Sequence, residues 1–267
     1  MSVKKVLVIR FRRIGDAVLS VVICSSIRKS FPEAEIHYVL NDHIAPLFEN
    51  HPDIDKIITF SDEENNHFFK YLRKVRQLMK TERYDVIIDT RATIKTLWFS
   101  AFSLRTKYRI GTSKFYNHFF HNYRVRNHVN DDLDEVVRNL LLLRPLERER
   151  KLIMTTDFRL YVTEQETAEF KSYMEQKGIN FSRFIVVCTP FTRVAGKAWD
   201  MAKMKEILSR IIQRYGAQLI FNYSRIEKEA ALALYEDMGK DEHIFIDIEA
   251  DSLRKLVSML EIADFFF

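Results

Sequence analysis

The stretch KVLVIRFRRIGDAV, Lys5 to Val18, decides the fold of this 267-residue chain. Its first half, Lys5–Arg10, holds the apolar run VLVI, rich in β-branched residues, the pattern of a strand buried on both faces of a parallel sheet. A helix is predicted over Asp16–Ser30, with Ala17, Val18, Val21, Val22 and Ile27 at helical spacing. The loop between them lies at the C-terminal end of its strand, where open α/β sheets bind their ligands. Gly15 permits a tight turn, and Asp16 falls at the helix N-terminus. Two readings follow. Asp16 is an N-cap worth about 1 kcal/mol, with Arg12 and Arg13 as solvated charges. Or Asp16 is a general base, with the two arginines clamping an anion. The loop holds one glycine where a dinucleotide fingerprint needs three, and no P-loop is present, which argues against nicotinamide cofactors and kinase-type ATP use.

Outward from this unit the alternation continues. Strands are predicted at 34–40, 56–60, 84–89 and 108–110, and helices at 44–49, 66–80 and 94–104. Residues 114–132 have no clean period and read as a loop-rich connection, followed by a helix at 133–143 that Pro145 ends. The charged run LERERK (146–151) marks a domain boundary, giving domains 1–150 and 151–267. The alternation restarts with strands at 158–161, 184–188, 218–221 and 243–246, and helices at 164–177, 201–215, 228–238 and 252–260. Gly178 and Gly216 stand at helix C-cap positions. Another strand opens in Asp264–Phe267 with no helix after it, so the second domain is expected to be incomplete. The fold class is α/β: two doubly wound parallel sheets.

Composition bounds the rest. Hydrophobic residues at 47% and charged ones at 30% suit a globular chain, and no apolar run reaches the roughly 18 residues of a membrane span. The apolar run VLVI is too short for a signal peptide, so a cytoplasmic location is expected. Cys24 and Cys188 sit among apolar neighbours without metal-ligand spacing and read as buried thiols; no metal site is expected. A net charge of +5 fits phosphate ligands or an anionic membrane surface.

The second informative loop is Cys188–Trp199, CTPFTRVAGKAW, after the strand RFIVVC. Thr189, Thr192, Arg193 and Lys197 gather there as a phosphate cradle, with Trp199 read as a core anchor.

RRIGDAVLS after VLVIR, then HPDIDKIITF, YDVIIDTRATIKT and finally KAW together resemble glycosyltransferase family 9, the lipopolysaccharide heptosyltransferases and their relatives. The resemblance runs in order from Val6 to Phe267. It implies a GT-B-like architecture of two Rossmann-like domains facing a cleft, the first binding the acceptor and the second the nucleotide-sugar. It implies an inverting, metal-independent transfer, without a cofactor, of a heptose or related sugar from an ADP-sugar, an ADP-heptose-like donor, to a lipid A or lipopolysaccharide core acceptor. It further implies peripheral contact with the inner membrane and no nucleic-acid partner. Asp16 matches the family's catalytic base, Lys197 its donor-phosphate contact with Thr192 just before it, and Lys95 an acceptor-side lysine. Glu227 and Glu229 fall near a donor-facing acid. The family continues past ADFFF into a phosphate-binding loop that this sequence does not contain, so a non-catalytic nucleotide-sugar-binding module stands as the alternative.

Overall fold

A computed structural model describes residues 3–126, 133–192 and 195–267. They divide into two compact units, Met1–Tyr161 and Val162–Phe267.

The first unit carries β1 (Lys5–Ile9), α1 (Ile14–Ser30), β2 (Glu35–Asn41), β3 (Lys56–Phe60), α2 (Asp62–Asn66), α3 (Phe68–Glu82), β4 (Val86–Asp89), α4 (Leu97–Ala101), β5 (Tyr108–Thr112), β6 (Tyr123–Val125) and α5 (Glu135–Leu141). Its sheet is parallel throughout in the order β3-β2-β1-β4-β5-β6. The order reverses between β1 and β4, which creates a topological switch point there. Val6, Leu7, Val8 and Ile9 are fully buried, as a central parallel strand requires. Ten of the seventeen residues of α1 are buried, because the helix packs on both the sheet and α5. It ends at Ser30 because Phe31 precedes Pro32 and is pushed out of the helical region. On α3, Tyr71, Val75 and Met79 recur every four residues and pack into the core with Phe60 and Phe99.

The second unit contains α6 (Glu164–Gln176), β7 (Ile185–Cys188), α7 (Met201–Tyr215), β8 (Gln218–Phe221), α8 (Lys228–Asp237), β9 (Ile244–Phe245), α9 (Leu253–Ile262) and β10 (Phe265–Phe266). Its parallel sheet runs β10-β7-β8-β9, so the switch point lies between β7 and β10, the counterpart of the one beside β1. Asp200 caps α7 by accepting from the Lys203 amide, and Gly216 closes it at φ 59°, a conformation that suits glycine.

Several sequence expectations are corrected. Residues 158–161 form no strand. The segment is irregular and tied to the first unit, with the Ile153 and Thr155 amides donating to Ser30 and Ser26 on α1 (2.8 and 3.0 Å) and Tyr161 packing on His51. The division between units therefore falls at Tyr161, whereas the charged run had placed it at 150. The connection at 114–132 hides β6, a strand too short to show a period. The helix expected at 66–80 is two helices, because Ser61 builds a capping box that starts α2 early and the chain breaks at His67. Trp199 is 46% exposed and touches the Phe267 ring at 6.0 Å, so it is no core anchor; the loop carrying it runs over the surface of its unit. Cys24 and Cys188 are buried, as expected.

Candidate functional site

The loop after β1 differs from the sequence reading in a way that matters. Helix α1 begins at Ile14, so Asp16 is its third residue and not its cap. The sharp turn is made by Arg12 and Arg13, at φ 65° and 53°, while Gly15 lies inside the first helical turn with open space where a side chain would be. Two consecutive non-glycine residues at positive φ are strained, roughly 1 kcal/mol or more each, and such strain gathers at ligand-binding loops. The Arg12 amide is held by Asn41 Oδ1 at 2.8 Å.

Freed from capping, the Asp16 carboxylate meets a cation that sequence reasoning missed. Arg10, just past the end of β1, is 4% exposed, and its Nη2 lies 2.7 Å from Asp16 Oδ2 and 3.4 Å from Glu135 Oε1. Its Nη1 donates to Thr90 Oγ1 at 3.3 Å. A buried guanidinium persists only with such partners. The sequence signal was there: a basic residue terminating a wholly apolar strand demands carboxylates nearby. Asp16 keeps about a third of its side chain exposed, so it is both gripped and accessible.

Beneath this loop, Asp89 ends β4 at zero exposure. Its Oδ1 accepts from the Arg91 and Ala92 amides (3.2 and 2.8 Å), fixing a turn in which Ala92 sits at φ 47°. Its Oδ2 has no hydrogen-bond partner and lies 3.7 Å from His121 Nε2. Asn117 Nδ2 can only donate, so His121 Nδ1 accepts from it and the ring proton sits on Nε2, facing Asp89. Burial pushes the Asp89 carboxyl up to about 6 and His121 down to about 4. Gly111 on β5 makes room for this pair, since a β-carbon there would lie 2.4 Å from the His121 ring.

Because folded Asp89 holds its proton more tightly than the unfolded chain does, the stability it contributes is complete below about pH 3.8 and lost as pH rises through about 6. Asp89→Asn does not ionise. Its stability relative to wild type is expected to improve by roughly 2 kcal/mol between about pH 4 and pH 7. Urea midpoints across that range check this, and a pH-independent difference would refute it.

Lys95 lies in the loop before α4. Its ammonium donates to Asn65 O and Oδ1 (2.6 and 2.8 Å) and sits 4.5 Å over the Tyr71 ring. The loops after the parallel strands β1 and β4 share one edge of the sheet, so Lys95 is on the same edge as Arg12; burial and then the charge of Arg12 lower its pKa. A cavity of about 710 Å³ lies elsewhere, at the edge where β4 and β5 begin.

In the second unit, Thr189 follows β7, with its amide donating to Phe267 O at 2.9 Å and its Oγ1 buried without a partner. Lys197 ends a single 3-10 turn, Ala195–Lys197, and is exposed, as is Thr192. Arg193 lies outside the described residues. Glu227 closes a capping box, accepting from the Ser224 amide and hydroxyl (2.8 and 2.6 Å), and Glu229 is an exposed residue in the first turn of α8. Next to that turn is a cavity of about 260 Å³ bordered by Tyr223, Arg225, Lys228 and Asp251. Each unit thus presents a polar loop at its own switch point: Arg10, Asp16 and Thr90 in the first, Thr189 and Lys197 in the second.

The sequence profile of glycosyltransferase family 9 (heptosyltransferase) matches residues 72–246, more than half of the chain. The chain belongs to glycosyltransferase family 9. Within the family, it is 26% identical over 216 residues to lipopolysaccharide heptosyltransferase 3 of Escherichia coli (strain K12), covering 77% of this chain. It is 24% identical over 135 residues to lipopolysaccharide heptosyltransferase 1 of Campylobacter coli, covering 50% of this chain. These alignments span 59% and 38% of the relatives' own lengths. Among solved structures, a family 9 glycosyltransferase from Veillonella parvula superposes with a TM-score of 0.84 at 15% identity, covering 99% of this chain and 74% of that one. E. coli ADP-heptose lps heptosyltransferase II gives 0.75 at 17% (98% and 78%), and E. coli heptosyltransferase WaaC with ADP-2-deoxy-2-fluoro heptose gives 0.70 at 16% (98% and 81%). The α/β fold with two parallel sheets is therefore the GT-B type of this family. Among the described residues no helix is long and apolar enough to cross a membrane.

Proposed function

We propose that this family 9 chain carries the machinery of an inverting, metal-independent glycosyltransferase that moves a heptose or related sugar from an ADP-sugar such as ADP-heptose to an inner-core lipopolysaccharide sugar at the cytoplasmic face of the inner membrane. The first unit would hold the acceptor and the second the nucleotide-sugar. The observation that carries this reading is Asp16: an accessible carboxylate, aimed by the buried Arg10, in the first helical turn after a strained loop at the switch point of a parallel sheet. Support for the donor and acceptor comes from relatives named as lipopolysaccharide heptosyltransferases and from a family fold solved with an ADP-heptose analogue.

In this scheme Asp16 removes the proton from the acceptor hydroxyl as its oxygen attacks the anomeric carbon of the donor. The bond from that carbon to the diphosphate breaks, ADP departs from the opposite face, and the configuration inverts. Negative charge gathering on the leaving phosphate meets the Lys197 ammonium and the Thr189 and Thr192 hydroxyls. Arg12, Arg13 and Lys95 present positive charge to a phosphorylated acceptor. Arg193 joins the donor side by its place in the sequence. Glu227 is engaged by its capping box, so of the two acids Glu229 is the freer to meet the donor.

The donor half has its own test. Losing a charge-assisted phosphate contact costs about 1.5–3 kcal/mol, so Lys197→Ala is expected to weaken ADP binding about 10- to 100-fold by isothermal titration. Asp16→Asn should bind ADP as wild type does. A change below about twofold for Lys197→Ala would remove that residue from the donor site.

A further inference from the structure

Helix α3 has a second face that the transfer scheme does not use. Its inner row is Tyr71, Val75 and Met79; on the opposite side Phe69, Arg73, Arg76 and Lys80 follow one another at spacings of four, three and four, all exposed. Phe69 is 83% exposed and Phe68 54%. The Phe68 ring meets Phe69 at 5.7 Å and Trp98 at 6.1 Å, and Trp98 stacks on Phe102, so the aromatic surface continues from α3 onto α4. Exposed phenylalanines beside one another mark an interaction surface, because burying each is favourable by a factor of about ten or more.

The charges beside them state the partner. The acids Glu63, Glu64 and Glu82 are already matched, by Lys70, by Lys74, and by Lys5 and Lys56. Arg73, Arg76 and Lys80 make no ion pair among the described residues. A helix with aromatic residues at one end and a row of unpaired cations along the same side suits a flat anionic surface with an apolar interior. The cations meet head-group phosphates and the rings enter the interface. Phe68 and Phe69 stand at the start of α3, near Tyr71, whose ring lies 6.3 Å from Phe11 in the Asp16 loop. That end of the helix is therefore on the same edge of the sheet as the candidate base.

We propose that the outer face of α3 docks this protein onto an anionic lipid bilayer, with Phe69 inserted, Phe68 at its margin, and Arg73, Arg76 and Lys80 on the phosphates. The proposal deepens the lipid-acceptor reading, but docking is measured without any sugar transfer, so either can fail alone. The test is co-sedimentation of the full chain with vesicles of phosphatidylcholine alone and with an equal mixture of phosphatidylcholine and phosphatidylglycerol. Wild type is expected to bind the mixed vesicles only, and less at high salt. At about fivefold per cation, Arg73→Gln/Arg76→Gln should lose on the order of 20-fold in affinity. Phe69→Ser should lose about tenfold or more and keep the salt dependence. All three positions are exposed, so unchanged melting temperatures verify folding. Equal binding to neutral vesicles, no binding to either, or wild-type affinity in both variants would overturn the proposal. So would a dimer in sedimentation velocity that disappears with Phe69→Ser, which would assign the face to a second copy of the chain.

Discussion

Asp16→Asn is expected to lower the turnover number for heptose transfer by about 10²- to 10⁴-fold while leaving the KM for the nucleotide-sugar within about twofold of wild type. The amide preserves the size of the side chain and can still accept from Arg10 Nη2, which lies 2.7 Å from Asp16 Oδ2. It cannot take a proton from an attacking hydroxyl. Asp16 is the third residue of α1 and makes no capping hydrogen bond, so its loss removes no cap, and the buried Arg10 keeps Glu135 as its charged partner, which limits the stability loss to about 1 kcal/mol. A purely structural Asp16 would give the opposite pattern: normal turnover and a lower melting temperature. Steady-state kinetics with ADP-heptose, beside a thermal melt, separate the two.

Arg10→Met should produce the second largest effect, in turnover and stability together. The guanidinium is the shared partner of Asp16, Glu135 and Thr90, and methionine leaves two carboxylates facing each other without a cation. Breaking a fully buried pair costs about 3–5 kcal/mol. Asp16 and Glu135 are each about a third exposed and recover some hydration, so a loss of about 2 kcal/mol is expected in urea unfolding. Turnover should fall by on the order of 10²-fold, because a carboxylate displaced by about 1 Å no longer meets the hydroxyl it must deprotonate. Arg10→Lys keeps the charge but lacks the fork that reaches Thr90 and both acids, so it should recover stability more than turnover. Equal recovery of both would reduce Arg10 to a structural ion-pair partner.

The sheets were largely legible because their strands are continuous β-branched runs. VLVI and IVVC have no competing period, and burial on both faces of a parallel sheet is the only place such runs fit. The pieces that went unread are those whose conformation depends on distant partners. Three-residue β6 exists through pairing with β5, and the extended appearance of 158–161 comes from contacts to α1 and His51. At the candidate site the positions of Asp16 and Lys197 follow from strand-to-helix loops, which a sequence displays directly. Arg10 and the Asp89–His121 pair do not. Their chemistry arises where loops after different strands meet, and a single strand pattern gives only a hint: one charge closing each otherwise apolar run. Gly15 shows the converse. It looked like the hinge of the turn, yet Arg12 and Arg13 take the strained conformations and glycine leaves the first helical turn uncovered.

A single displacement driven by one carboxylate base has a stereochemical signature. Proton NMR of the product formed in the first turnover with ADP-heptose reports the configuration at the anomeric carbon. Inversion relative to the donor is predicted. Retention would require a second nucleophile that the Asp16 loop does not supply, and would contradict the assignment of Asp16 as the base.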